Sequence, residues 1–513
     1  MWTRAFAVLS LLVVVAGRPE AGAPQPAAAS DEVITHALNR LTFGPRPGDV
    51  ARVKAMGLQN WIDLQLSPAR IDDAAMAARL ARLETLTLDS QTIQREYSGP
   101  AMIERRERQR NAPAGDDPDP VMRPPSRTTG QPPEEMAATR TRPSEAQLKD
   151  RQVMADIEEA KLLRAVYSER QLQEVLVDFW FNHFNVFAGK GATRNYLSEY
   201  EREAIRPYVL GNFRDLLEAT AKSPAMLFYL DNWQNVSEGS PSPGGAQRRP
   251  PRRREAPSPT SGAAVRPNRG INENYARELM ELHTLGVDGG YTQDDIVNVA
   301  RAFTGWTIRP RDGSGTQFAA RLHDDKSKTV LGHTIKAGGG EQDVERVLDI
   351  LAAHPSTARH IATRLVQRFV SDTPPPALVE RAAARFTATR GDLREVVRTI
   401  ITSPEFSAPE ALRAKVKTPL EFVVSALRAT GAEVRSARPL ARELREMGMP
   451  IYFCQPPTGY DDTATTWVSA GALVSRMNFA VELGKNQLRG VRVPLTEEQT
   501  VGLQIGAPEF QRQ

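Results

Sequence analysis

Apolar residues along this chain recur mainly at three- and four-residue spacing, the repeat of a helix with one buried face. From Asp31 to about Ser90 the pattern predicts several short helices. VITHALNRLTFG reads as one that closes near Gly44; Pro47 opens a second, which runs through Met56 and stops at Gly57. In LQNWIDLQL, Leu58, Ile62 and Leu66 share a face. The periodicity resumes at Ser144 and holds to about Phe187. Asn212 and Ser223 stand where caps belong on two further helices, the second with Pro224 in its first turn. Helices return at about Gln342 and dominate to about Leu483, punctuated by Ser403-Pro404, Thr418-Pro419 and Gly431. After Trp306, TQFAARLHDD and KTVLGHTI are short, partly alternating and turn-bounded. They predict a small β excursion over about 316–335.

Two tracts break the pattern. Residues 99–143 are rich in Pro, Arg and Glu, and residues 238–269 carry SPSPGGAQRRPPRRREAPSPTSGAAV. Neither has enough large apolar side chains to offset the entropy of ordering, so both are expected to be disordered insertions. The expected fold is mainly α: a multi-helix core with a small β-hairpin-like excursion after Trp306 and two disordered insertions. Its parts are a signal peptide (1–29), helical core (30–98, 144–237 and 270–485), the two insertions (99–143 and 238–269) and a C-terminal tail (486–513). No internal repeat of fixed period is present.

The N-terminus carries Arg4, an apolar run from Ala5 to Ala16, and then small residues around Ala21-Gly22-Ala23 and Ala27-Ala28-Ala29. That run is too short for a membrane span of about twenty residues and fits a signal peptide cut near Ala29. No later segment is long and apolar enough to span a bilayer. The chain is therefore expected to be exported, to the periplasm or beyond. The single cysteine, Cys454, excludes an intramolecular disulfide and reads as a small buried hydrophobe. The net charge of +4 is modest, and in an exported chain it argues against nucleic acid as a partner.

The richest block is Ile271–Trp306, INENYARELMELHTLGVDGGYTQDDIVNVARAFTGW. It predicts two short helices. Asn272 caps the first, and Gly286 takes the left-handed position after it, with Val287 reaching back to Leu282. Thr292 caps the second, with Asp295 in the capping-box position. At 100° per residue, Asn274, Arg277, Glu278 and Glu281 share one face, while Tyr275, Leu279, Met280 and His283 lie on the apolar remainder. That polar face is either solvated surface with weak charge pairs or the wall of a cavity beside a central helix. His283 is expected to be a core histidine.

A second cluster, Asp178-Phe-Trp-Phe-Asn182-His183-Phe-Asn185, sets polar groups among aromatics, where each needs a specific partner. His323-Asp-Asp-Lys-Ser-Lys328 reads as a turn with solvated charges, and His354-Pro355 as a helix start. Pro456-Pro457-Thr458-Gly459-Tyr460 is a rigid turn followed by Asp461, Asp462 and Trp467, the kind that lines clefts or lies on the surface. Nucleophile-elbow, Walker, zinc-helix, haem-attachment and di-iron signatures are absent.

Seven blocks in order carry a family resemblance. They are HALNRLTFGPRPGDVARVKAMG, DFWFNHFNVF, MLFYLDNWQN, the Asn272–Trp306 block, HDDKSKTVLG, HPSTARHIATRLVQRFV and CQPPTGY. Together they resemble the bacterial family catalogued as Domain of Unknown Function 1800. The resemblance implies an exported, mostly helical protein. It also implies a gene neighbour that is another exported protein, similar to the alkaline-phosphatase and sulfatase superfamily. It assigns no reaction, cofactor or metal.

Two functions are open on these residues. In one, the chain is a binding or assembly partner of another exported protein, with Asn274, Asn182, Trp306 and Tyr460 as contact residues. In the other it is a metal-assisted or acid/base enzyme. Glu278 or Glu281 would then be base or ligand, His183 acid/base or ligand, and Arg277 the holder of an anionic group. The first is preferred, because no recognisable catalytic constellation appears.

Overall fold

The computed structural model describes residues 29–111, 142–240, 270–309, 315–494, 502 and 504–513. Most of these residues are helical, and strands occur among them only as three two-stranded antiparallel ribbons. The expected signal peptide and most of both expected insertions lie outside the described residues. The first insertion begins later than its composition suggests, because residues from Gly99 continue as a helix to Asn111. None of that helix is buried. It is built from Met, Glu, Arg and Gln, good helix formers that need no core to justify them.

The local signals act as their chemistry requires. Ser144 and Gln147 form a capping box at the start of helix Glu145–Tyr167. Asn212, Ser223 and Thr418 each cap the helix that follows. His354 opens helix Pro355–Phe369, its Nδ1 accepting the Ser356 N–H at 3.2 Å.

The core centres on helices Gln171–His183 and Pro419–Ala429. Leu172, Val175, Leu176 and Trp180 of the first, and Phe422, Val423 and Val424 of the second, are fully buried. Arg428 crosses this core and ties three segments together. Its Nε donates to the Gly44 carbonyl at 2.6 Å and its Nη1 to the Val166 carbonyl at 2.7 Å, with Asp49 3.5 Å from Nη2. Each bond satisfies a carbonyl that burial would otherwise leave unpaired.

The β excursion is two ribbons rather than one hairpin. Trp306–Ile308 pairs with Thr316–Phe318, so Trp306 begins a strand, and Lys328–Val330 pairs with His333–Ile335. The HDDKSK turn is solvated only at its middle, Asp325–Ser327, and its two ends are buried. His323 Nε2 and Lys328 Nζ converge on Asp343 Oδ2 at 3.1 and 2.6 Å, and all three side chains are buried. The carboxylate that neutralises this turn comes from helix Gln342–Ala353, beyond the reach of local pattern.

The expected tail folds back. Val491–Arg492 pairs with Glu433–Val434, Arg512 bridges to Val416, and Ile505 is buried. No helix among the described residues is long and apolar enough to cross a membrane.

Arg428→Ala strands the Gly44 and Val166 carbonyls. It is expected to cost roughly 2–5 kcal/mol of stability, read as a lower denaturant midpoint with unchanged slope.

Candidate functional site

Two sequence blocks nearly 280 residues apart meet to form a cleft. The Asn182 side chain at the end of helix Gln171–His183 grips Tyr460 from both sides. Its Nδ2 donates to the Tyr460 carbonyl at 2.7 Å, and its Oδ1 accepts the Tyr460 N–H at 2.7 Å. Asn185 Nδ2 donates to the carbonyls of Cys454 and Pro456 at 3.0 and 2.8 Å. The Tyr229 hydroxyl donates to the Gln455 carbonyl at 2.6 Å. Gly459 has φ +72°, and a Cβ there would lie 2.2 Å from the Asn182 carbonyl oxygen. The aromatics around Asn182 and Asn185 exclude competing water, so the amides are committed to this loop.

The cleft encloses about 60 Å³ and is lined by Lys161, Asp178, Asn182, Arg364, Arg368, Glu421, Cys454, Tyr460, Asp461 and Asp462, among others. Most of its charges are consumed. Lys161 pairs with Asp178 at 2.6 Å and Arg368 with Glu421 at 2.5 Å. Burial alone would raise the Glu421 carboxyl. Arg368, the Gln513 amide and the Thr418 N–H reverse that and hold it at about 2. Beside the cleft, Lys415 pairs with Asp372 at 2.6 Å and lies 3.6 Å from Asp462. The Asp462 carboxyl is pushed up by burial, against the pull of Lys415 and Arg368.

Arg364 differs. Its one hydrogen bond is to Gln367 Oε1 at 3.4 Å, and no carboxylate among the described residues is within ion-pair distance. Burial pushes the Cys454 thiol to about 11, which suits a small hydrophobe and not a nucleophile.

Asp178, Asn182 and Tyr460 are thus brought together, and the other candidates lie elsewhere. Helix Glu273–Glu278 continues into a widened turn, Leu279–Thr284, in which the Leu285 N–H reaches back five residues to the Met280 carbonyl. Asn272 caps this helix, Gly286 takes φ +82°, and Thr292 with Asp295 forms the expected capping box. Val287 is exposed and does not fold back. Arg277 pairs with Glu273 and Glu281 at 3.5 and 3.4 Å on a solvated face and donates to Gln293 at 3.0 Å. Asn274 is exposed, its Nδ2 donating to the Leu230 carbonyl at 3.3 Å. Glu278 is half-buried, and burial, then Glu281, raises its carboxyl. Trp306 is buried, with Lys222 Nζ 5.1 Å from its ring centre.

His183 is buried beside His283 and His360, with ring centres 6.2 and 6.0 Å away. The rings do not aim at a common point. His183 Nε2 donates to the His283 carbonyl at 3.2 Å and His360 Nε2 to the Leu282 carbonyl at 3.1 Å. These are last-turn carbonyls that the helix cannot satisfy itself. Burial drives His183 well below its usual range and His283 to about 3. Among the described residues no three His, Cys, Asp or Glu side chains are arranged to hold a metal ion.

Sequence reasoning passed over Lys161, Arg364, Arg368 and Glu421. A signal existed for two of them. His360, Arg364 and Arg368 repeat at four-residue spacing along a helix whose other residues are largely apolar, which stacks them on one face.

A family model described as "Protein of unknown function (DUF1800)" matches residues 36–511. No curated protein and no solved structure matches the chain.

Two outcomes follow from this geometry. Gly459→Ala forces a Cβ onto the Asn182 carbonyl in a left-handed conformation. It is expected to cost more than about 1 kcal/mol and to speed hydrogen exchange across 454–460. Below about pH 6.5 the unfolded chain protonates its histidines while the folded chain keeps His183 and His283 neutral. Stability is therefore expected to fall as pH drops from 6.5 toward 4.5, by up to about 1.4 kcal/mol per pH unit for each ring. His283→Gln should make the dependence of the unfolding temperature on pH shallower in that window.

Proposed function

We propose that this chain, which belongs to the DUF1800 family, acts by binding another exported protein rather than by catalysis. The observation that carries this reading is helix Ala470–Gly484. Its inner face packs Phe479, Ala480 and Leu483 into the core. Its outer face leaves Leu473, Val474, Met477 and Val481 in solvent, with Val468 just before it; Val474 and Met477 are each 56% exposed. Spacings of three and four residues set Val474, Met477 and Val481 in one stripe. An apolar stripe of this kind marks a contact surface.

The segment leading into the stripe touches the cleft: Trp467, next to Val468, donates its Nε1–H to the Asp461 carbonyl at 2.8 Å. Asp461 and Asp462 stand on the cleft wall, and Val468 follows six residues later. Arg476, the one charged residue from 468 to 481, turns inward to Gln511 Oε1 and the Lys417 carbonyl. A partner covering the stripe therefore meets no exposed charge there. Arg364 in the cleft supplies the polar complement, a guanidinium suited to a carboxylate. The matching partner presents an apolar surface beside one Asp, Glu or chain-terminal carboxylate.

The partner proposed is the exported protein of alkaline-phosphatase and sulfatase type whose gene neighbours members of this family. Export of this chain is part of the proposal and rests on the Ala5–Ala16 run. The solvated ion pairs of Arg277 and Glu281, and the backbone bond of His183, support a structural use of those side chains.

The test is to purify both mature proteins and measure their affinity. Met477→Asp and Arg364→Ala are each expected to weaken binding at least about tenfold, equivalent to about 1.4 kcal/mol, while Glu281→Gln leaves it unchanged. Binding untouched by both variants would reject the proposal. An activity lost in Glu278→Gln or Glu281→Gln, with no association of the two proteins, would support the enzyme instead.

A further inference from the structure

A second cleft lies away from the charged one, where helix Gly99–Asn111 runs beside helix Glu145–Tyr167. It encloses about 580 Å³, within the size range of small-molecule sites. Four guanidinium groups from three separate elements line it. Arg105 and Arg108 sit one turn apart on the first helix, Arg151 comes from the second, and Arg194 comes from the turn Thr193–Asn195.

Neutralisation is incomplete. Arg194 pairs with Asp150 at 3.0 Å and Arg108 with Glu104 at 3.3 Å. Glu104 is itself shared, accepting the Ser144 hydroxyl at 2.6 Å. Arg105 and Arg151 have no carboxylate within ion-pair distance among the described residues. Arg194 Nε and Asp150 Oδ1 are each buried without a hydrogen-bond partner, a state that is rare unless a ligand or water completes it.

We infer that this cleft binds a molecule carrying two or more phosphate groups. Guanidinium groups from three separate elements line this one cleft. A planar carboxylate presents two coplanar oxygens, whereas a phosphate presents oxygens tetrahedrally and can serve donors from different elements at once. Two cations on two helices without a carboxylate partner among the described residues, around a volume that one phosphate leaves mostly empty, call for more than one such group. The inference is independent of the protein-binding face, because neither site shares a residue with the other.

Two sources supply this chemistry, a soluble oligophosphate and the headgroups of a phospholipid surface. The probes are inorganic tripolyphosphate, by titration calorimetry, and phosphatidylglycerol vesicles, by co-sedimentation, both with the mature full chain. The R105Q/R151Q variant changes two exposed side chains and should unfold at the same temperature as the parent. It is expected to bind either probe at least about tenfold more weakly, with the parent's affinity falling steeply as salt is raised. Binding to tripolyphosphate alone assigns a soluble ligand, and vesicle binding that tripolyphosphate displaces assigns a lipid headgroup. Failure to bind either probe, equal binding by R105Q/R151Q, or equal affinity for a polyglutamate of matched charge would each overturn the inference.

Discussion

The two-sided hydrogen bond between Asn182 and Tyr460 is the constraint on which the cleft depends. A primary amide is the smallest side chain that can donate and accept in one plane, so it can pair with a backbone as another strand would. Here it does so at the end of a largely buried helix, beside the buried rings of Phe179, Trp180 and Phe181. Asn185 and Tyr229 then fix the carbonyls at the other end of the same loop. The loop's path, and with it the positions of Cys454, Tyr460, Asp461 and Asp462, follows from those amides.

The charges behind that loop obey a different rule. An ion pair removed from water persists only when the rest of its hydrogen-bonding capacity is also met. Glu421 meets it with a guanidinium, an amide and a backbone N–H, and so remains ionised in the core. Lys161 and Asp178 neutralise one another at the cleft wall. The consequence is a site whose charges are mostly paired, with the Asp462 carboxyl raised by burial and Arg364 without a carboxylate partner among the described residues.

Local signals in the sequence carried the helices well. Asn212, Ser223, Asn272, Thr292 and Thr418 cap where their side-chain oxygens can reach an orphan N–H, a relation confined to three or four residues. The same locality explains what stayed hidden. The widened turn at Leu279–Thr284 adds one residue per turn and follows from partners on other helices, notably His183 and His360. The charges of His323 and Lys328 look solvated until Asp343 arrives from a later helix. In the candidate site, Asn182 and Tyr460 were visible because a polar residue among aromatics, or a Gly-Tyr turn after two prolines, is unusual in itself. Arg364 and Arg368 are marked only by their four-residue spacing with His360, a weak signal because an arginine on an amphipathic helix ordinarily faces water. Only the fold reveals that theirs is the buried side.

The first helix also shapes how the chain reaches this structure. His36 Nε2 bonds the Phe406 carbonyl at 2.8 Å, and Arg40 Nη2 the carbonyls of Val370 and Ala411 at 3.2 and 2.9 Å. Segments separated by 330 to 371 residues therefore share one interior. Contacts of such range close loops whose entropy must be lost before burial returns anything, which slows folding. During synthesis the His36 and Arg40 side chains of the Asp31–Leu41 helix lack these carbonyl partners until residues from Val370 to Ala411 have been made. Until then two polar side chains of a core helix remain unpaired, which leaves that helix incompletely anchored. A chain organised this way completes the polar contacts of its first helix only late in its synthesis.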